Sequence, residues 1–211
     1  MASILTVNKI EDKNISWAND QFDTLFISSQ WHSVDNSPWQ EAFPYKPDVR
    51  FQIVHSEDTI YIRYEVEEEY VKAQYIRPNE SVYEDSCVEF CISLDDKQTY
   101  YNFEFNVLGT GLIGYGPAVK ADRQRLAPAV VEQVNTFSQV FNSEGKKRWR
   151  LVLGIPKAIF TQEIHSGRKA YANFYKCGDK LPQPHFLAWN TIENPTPNFH
   201  LPQFFGELIF E

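Results

Sequence analysis

Two neighbouring stretches of this chain alternate apolar and polar residues with period two, and that pattern narrows what the chain can fold into. In Cys87-Val88-Glu89-Phe90-Cys91-Ile92, Val88, Phe90 and Ile92 share one side and Glu89 takes the other. In Tyr101-Asn102-Phe103-Glu104-Phe105-Asn106, three aromatic residues alternate with two amides and a carboxylate. Successive side chains of a strand point to opposite sides of a sheet, so each stretch is a strand with one greasy and one polar face.

Similar alternation or apolar runs predict strands over Val49–Ser56, Thr59–Glu67, Ser86–Leu94, Thr99–Leu108, Gly111–Gly116, Lys147–Ile155, Ala170–Cys177 and Phe205–Phe210. Glu57-Asp58 and Asp95-Asp96-Lys97-Gln98 read as hairpin turns. Short strands at this spacing point to an all-β chain: an antiparallel, two-sheet β-sandwich of jelly-roll or immunoglobulin-like type, rather than a βαβ fold. One or two short helices accompany it. Residues 121–137 carry Leu126, Val130, Val131 and Val134 at near-helical spacing, broken by Pro128, and Pro156–Phe160 opens on a proline. No repeat, low-complexity tract or linker divides the 211 residues, so we expect one domain, with 1–43 wrapping a core of 44–211. Trp17, Trp31 and Trp39 fall in that wrap and are read as packing residues.

A formal net charge of −8 argues against nucleic acid or an anionic membrane as partner, since both reward positive charge. No apolar window reaches membrane-spanning length. Met1–Lys9 lacks a basic segment followed by an apolar one, so the expected location is cytoplasmic, or extracellular or periplasmic for a chain that has lost a leader. Cys87 and Cys91 on one strand lie about 13 Å apart, beyond the roughly 7 Å a disulfide spans. With Cys177 the count is odd, and no disulfide framework is expected.

Catalytic signatures are missing. No G-x-S-x-G elbow is present, and the five histidines form neither H-x-H nor H-E-x-x-H. The glycine-rich run Gly109 to Gly116 reads as a turn and an edge strand, with Tyr115 a pocket-wall candidate. What the polar strand faces offer is carboxylates, amides and aromatic rims, the surface chemistry that saccharides need. Five Trp and eleven Tyr exceed what a core requires, so some should face a ligand. Glu89 and Glu104 could also form a glycosidase pair, which needs a separation of roughly 5 Å or 6.5–9.5 Å. The favoured reading is cross-strand hydrogen bonding with Arg63, Asn102 or Arg150. The run Glu65-Val-Glu67-Glu68-Glu69 is read as a solvated strand end in preference to a calcium site. His185 and His200 flank Trp189 in a proline-rich C-terminal third, where long ordered loops often carry function.

Tyr83-Glu84-Asp85-Ser86 followed by Val88-Glu89-Phe90 resembles the W-x-D-S-V-E-type strand of family 9 carbohydrate-binding modules. Tyr45-Lys46-Pro47, Ile60-Tyr61-Ile62-Arg63-Tyr64, Leu187-Ala188-Trp189-Asn190 and the ending Pro202-Gln203-Phe204-Phe205-Gly206 add to the likeness. It runs from about Pro44 to Glu211. The resemblance implies a β-sandwich that stacks a sugar between two tryptophans, with polar side chains on its hydroxyls and calcium in a structural role. Carried over, Tyr83 takes the first ring position, where the family has Trp, Glu89 matches a sugar-binding carboxylate, and Trp189 matches the second ring.

The reading is a non-catalytic carbohydrate-binding protein with ligand contacts from Tyr83, Glu89, Trp189, Asn102, Asn106, Arg63 and Lys176. No cofactor is required; a structural calcium ion is allowed for, with its ligands unassigned. The partner is a mono- or oligosaccharide, held at about −4 to −8 kcal/mol. A glycoside hydrolase using paired carboxylates and an interaction module without a sugar site are the alternatives.

Overall fold

The computed structural model describes residues 3–11, 15–18 and 22–211. Its regular structure is almost all strand: β1 (Ile4–Lys9), β2 (His32–Ser33), β3 (Asp48–His55), β4 (Thr59–Glu67), β5 (Cys87–Ser93), β6 (Tyr100–Asn106), β7 (Gly111–Gly116), β8 (Gln124–Arg125), β9 (Asn135–Ser143), β10 (Lys146–Pro156), β11 (Lys169–Cys177), β12 (Phe186–Ala188) and β13 (Gly206–Phe210). The α-helix is a single turn, α1 (Pro128–Val131). Among the described residues no helix is long and apolar enough to cross a membrane.

The strands form one large curled, mixed sheet in the order β8-β7-β6-β5-β11-β13-β1-β3-β4-β10-β9. Strand β1 joins its halves: Ile4–Val7 pair with β13, and Asn8 and Lys9 with β3. Both of those pairings are parallel, unlike the all-antiparallel arrangement expected, because β1 enters between strands that run the same way. The other pairings are antiparallel. In β1 an exposed Ile4 beside buried Leu5 blurs the alternation in the sequence. Strand β9 is an exposed edge with little apolar periodicity. A two-residue turn links it to β10, with Glu144 and Gly145 both at positive φ, as a type I′ hairpin requires. Pro128 opens α1 rather than breaking a helix, and from Asn135 the segment becomes strand.

Period two explains the core. Val49, Phe51 and Ile53 on β3 and Ile60, Ile62 and Tyr64 on β4 join one buried cluster with Val88 and Phe90 on β5, Phe103 on β6 and Phe174 on β11. Phe51 stacks on Phe174 with ring centroids 3.8 Å apart, so the two halves of the sheet meet face to face. The opposite face of β5, β6 and β11 is also covered. There Tyr100, Tyr175, Cys87, Cys91 and Cys177 pack with Trp39, Phe199 and Phe205 from the wrapping segments. Every residue of β5 and β6 is buried as a result. The polar strand face is therefore not an open surface; the proline-rich loops close over it and leave one gap.

Candidate functional site

That gap is a cavity of about 620 Å³ over the outer side of β5, β6 and β7. Glu89 and Glu104 line it. They are direct partners in the β5–β6 register and are only 4% and 6% exposed. Asn102 Nδ2 donates to Glu104 Oε1 at 2.7 Å, while Glu104 Oε2 is buried with no partner among the described residues. Cys177 Sγ donates to Glu89 Oε1 at 3.4 Å. Burial holds both carboxyls on the protonated side. Desolvation, then repulsion from Glu104, pushes Glu89 well above the carboxylate range. Desolvation lifts Glu104 to about 7, although Arg123 pulls it back.

Aromatic rings supply other walls. Tyr83 projects from the 3₁₀ turn Val82–Glu84, tied to the next loop by Asp179 N–H donating to the Tyr83 carbonyl at 3.1 Å. Phe186 and Phe199 also line the cavity. Phe199 is fixed from behind by Tyr175, stacked at 4.1 Å and 7°. Asp179 sits at the rim, its carboxyl raised to about 6 by desolvation and then by Glu84.

Arg123 reaches the cavity from the loop before β8. Its Nη1 donates to His200 Nδ1 at 2.7 Å, and its guanidinium lies over the Tyr100 ring at 4.7 Å. Tyr100 Oη lies 3.0 Å from the same nitrogen. Since arginine has no acceptor, His200 Nδ1 must accept, and the ring proton of this neutral histidine sits on Nε2. Burial, then Arg123, lowers His200 to about 3. Glycines make the approach possible. A Cβ at Gly114 would lie 3.1 Å from Arg123 Nη2, and one at Gly116, where φ is +144°, would lie 3.0 Å from Arg123 Cα. The glycine-rich run thus lets a cationic loop lie against β7.

The sequence profile of carbohydrate-binding family 9 matches residues 21–210. The chain belongs to carbohydrate-binding family 9. Among solved structures it is similar over 100% of both chains to a Bacteroides uniformis protein provisionally described as carbohydrate-binding, at 35% identity and a TM-score of 0.89. A family 9 module from Caldicellulosiruptor kristjanssonii in complex with glucose shares the fold at 11% identity and a TM-score of 0.65, over 99% of this chain and 96% of that one. The same organism's module with cellotriose is alike at 10% identity and a TM-score of 0.65, over 99% and 94%. No curated protein matches the chain.

Of the residues this family 9 protein was expected to use, Tyr83 and Glu89 line the cavity and Asn102 braces Glu104 from beneath. Four others lie elsewhere. Trp189 packs edge-on against Phe51 and Phe174 inside the core, so its ring offers no stacking platform. Lys176 shares a strand face with Phe174, two residues away, and so points inward. Its Nζ meets Glu68 at 2.9 Å and His185 at 2.7 Å. Asn106 lies at the far end of β6 and holds a turn, donating to the Tyr75 carbonyl and accepting from the Leu108 and Thr110 amides. Arg63 lies on the other half of the sheet, bonded to Gln52 and Asp23 and stacked over Trp31. Tyr115 packs on Tyr101 at 4.3 Å, on the core side of β7. Arg123 and Phe186 carried no sequence signal of their own; glycines two residues apart in β7 were the available hint of a close approach.

The acidic run does not suit calcium. Glu65 pairs with Arg50 and Arg150, Glu67 with Lys146 and Arg148, and Glu68 with Lys176. Three of its four carboxylates are thus paired with cations, and among the described residues no group of three His, Cys, Asp or Glu side chains could share a metal ion.

Proposed function

We propose that the cavity binds a saccharide without transforming it. The buried Glu104 carboxyl on the cavity floor, its Oε2 unpartnered among the described residues, carries this reading. A buried polar atom left without a partner costs about 1–3 kcal/mol, and a sugar hydroxyl, which both donates and accepts, suits the carboxyl in either protonation state. Tyr83 and Phe199 supply ring faces and His200 Nε2–H a donor, the mixture of flat apolar walls and fixed polar groups that a pyranose requires. Family membership, and the glucose and cellotriose seen with modules of the same fold, support the same ligand class. The second ring is then Phe199 or Phe186 rather than Trp189. We read the curled sheet as the two-sheet sandwich expected, on the strength of its face-to-face core.

The carboxylate pair argues for binding over hydrolysis. Glu89 and Glu104 are cross-strand neighbours on one side of the cavity, whereas glycosidases flank the scissile bond with their two acids. Calorimetric titration with glucose and cellotriose tests the proposal. Binding in the micromolar to millimolar range is expected, with Tyr83→Ala weakening it at least about fivefold. Absence of binding by these two and by every sugar of a wider panel, neutral and acidic, at about 10 mM would sink it.

A further inference from the structure

Lys120, Arg123 and Arg125 all line the cavity, on the segment that follows β7. None of the three makes an ion pair within 4.0 Å among the described residues, where Arg50, Arg63, Arg148 and Arg150 all do. Arg125 donates instead to the Asn79 carbonyl, and Arg123 to a neutral histidine. Arg123 Nε is in addition buried without any hydrogen-bond partner. In a protein of net charge −8, three uncompensated cations converging on one cavity call for an anion. The carboxyls facing them are Glu89, Glu104 and Asp179. The first two lie side by side out of water, where like charges cannot both persist, and so leave much of the basic charge unanswered.

Resting on the saccharide reading, we propose that the preferred ligand is a sugar bearing a carboxylate, a hexuronate, whose ring lies against the aromatic walls and whose anionic group meets Arg123 with Lys120 and Arg125 around it. A guanidinium fork matches a planar carboxylate in two parallel hydrogen bonds, which gives direction as well as charge.

The test is calorimetric titration at pH 7 with glucuronate and glucose, and with galacturonate and galactose. At least one uronate should bind about tenfold or more tighter than its neutral parent, and raising salt from about 20 to 300 mM should weaken only the uronate. The double variant Lys120→Gln/Arg125→Gln removes exposed rim charge without touching the core. It should weaken the uronate about fivefold and narrow the ratio of uronate to neutral-sugar affinity. Neutral sugars binding as well as or better than their uronates would overturn the uronate assignment and leave the saccharide site standing. Binding of none of the four, nor of any sugar of the wider panel, would overturn both.

Discussion

Replacing Glu104 with glutamine is expected to stabilise the protein, and to do so much more at pH 8 than at pH 5. The reason lies in where the carboxyl sits. Its folded value is raised to about 7, chiefly by desolvation, against about 4.3 in the unfolded chain. A group raised on folding holds its proton longer in the fold, so the stability it contributes is present at low pH and is lost as pH climbs from about 4.3 through 7. With 1.36 kcal/mol per unit, the penalty relative to the neutral form is about 1 kcal/mol at pH 5 and about 3–4 kcal/mol at pH 8. Glutamine copies the neutral carboxyl in shape, keeps an oxygen for Asn102, and places an amide where Oε2 has no partner. The advantage of the variant should therefore grow by about 2–3 kcal/mol between the two pH values.

For a chain of 211 residues that growth corresponds to about 5–10 °C in the difference between the melting temperatures. The assay is thermal unfolding of both proteins from pH 5 to 8. Wild type alone would mislead: His185 and His200, each lowered to about 3 by burial, lose stability as pH falls below their unfolded value near 6.5. Those contributions are common to both proteins and cancel in the difference. A difference that stays flat, or shrinks as pH rises, would refute the idea that Glu104 is a carboxyl kept neutral by its surroundings. Loss of the variant's charge also relieves Glu89, which adds to the effect in the same direction.

Lys176→Ala should destabilise by about 3–5 kcal/mol, because Glu68 is left buried and unpaired; denaturant unfolding measures it, and the loss should shrink when Glu68→Gln is added. Trp189→Ala should destabilise by a similar amount, about 3–5 kcal/mol, through the cavity left beside Phe51 and Phe174. A Trp189→Phe variant that kept the fold and lost sugar binding outright would instead restore Trp189 to the site. Treatment with EDTA should leave the melting temperature unchanged within about 1 °C, since three of the four carboxylates in the acidic run are already paired with basic side chains.

How much could be read from the residues follows from what period two controls. It assigns each side chain to a face, and the eight strands it indicated are present as β3 to β7, β10, β11 and β13. It fails at β1, where an exposed Ile4 beside buried Leu5 blurs the alternation, and at β9, which is exposed on both sides. Parity also placed Glu89 and Glu104 together, and applied to Phe174 it would have turned Lys176 inward. It cannot say which part of a polar face remains open, because that depends on chain from elsewhere: Trp39 from the N-terminal wrap, Phe199 and Phe205 from the proline-rich loops. The amides of Asn102 and Asn106 serve the fold, bonded to Glu104 and to Tyr75 and Asp85, while Glu89 and Glu104 line what stays open. The same closure explains Trp189. Its backbone N–H bonds the Phe174 carbonyl, which pins the loop to β11 and commits the ring to the core. Phe186 before it and Phe199 after it line the cavity instead. A binding site on this fold is thus set by two layers of information, strand parity for the floor and loop closure for the walls, and only the first is written locally in the sequence.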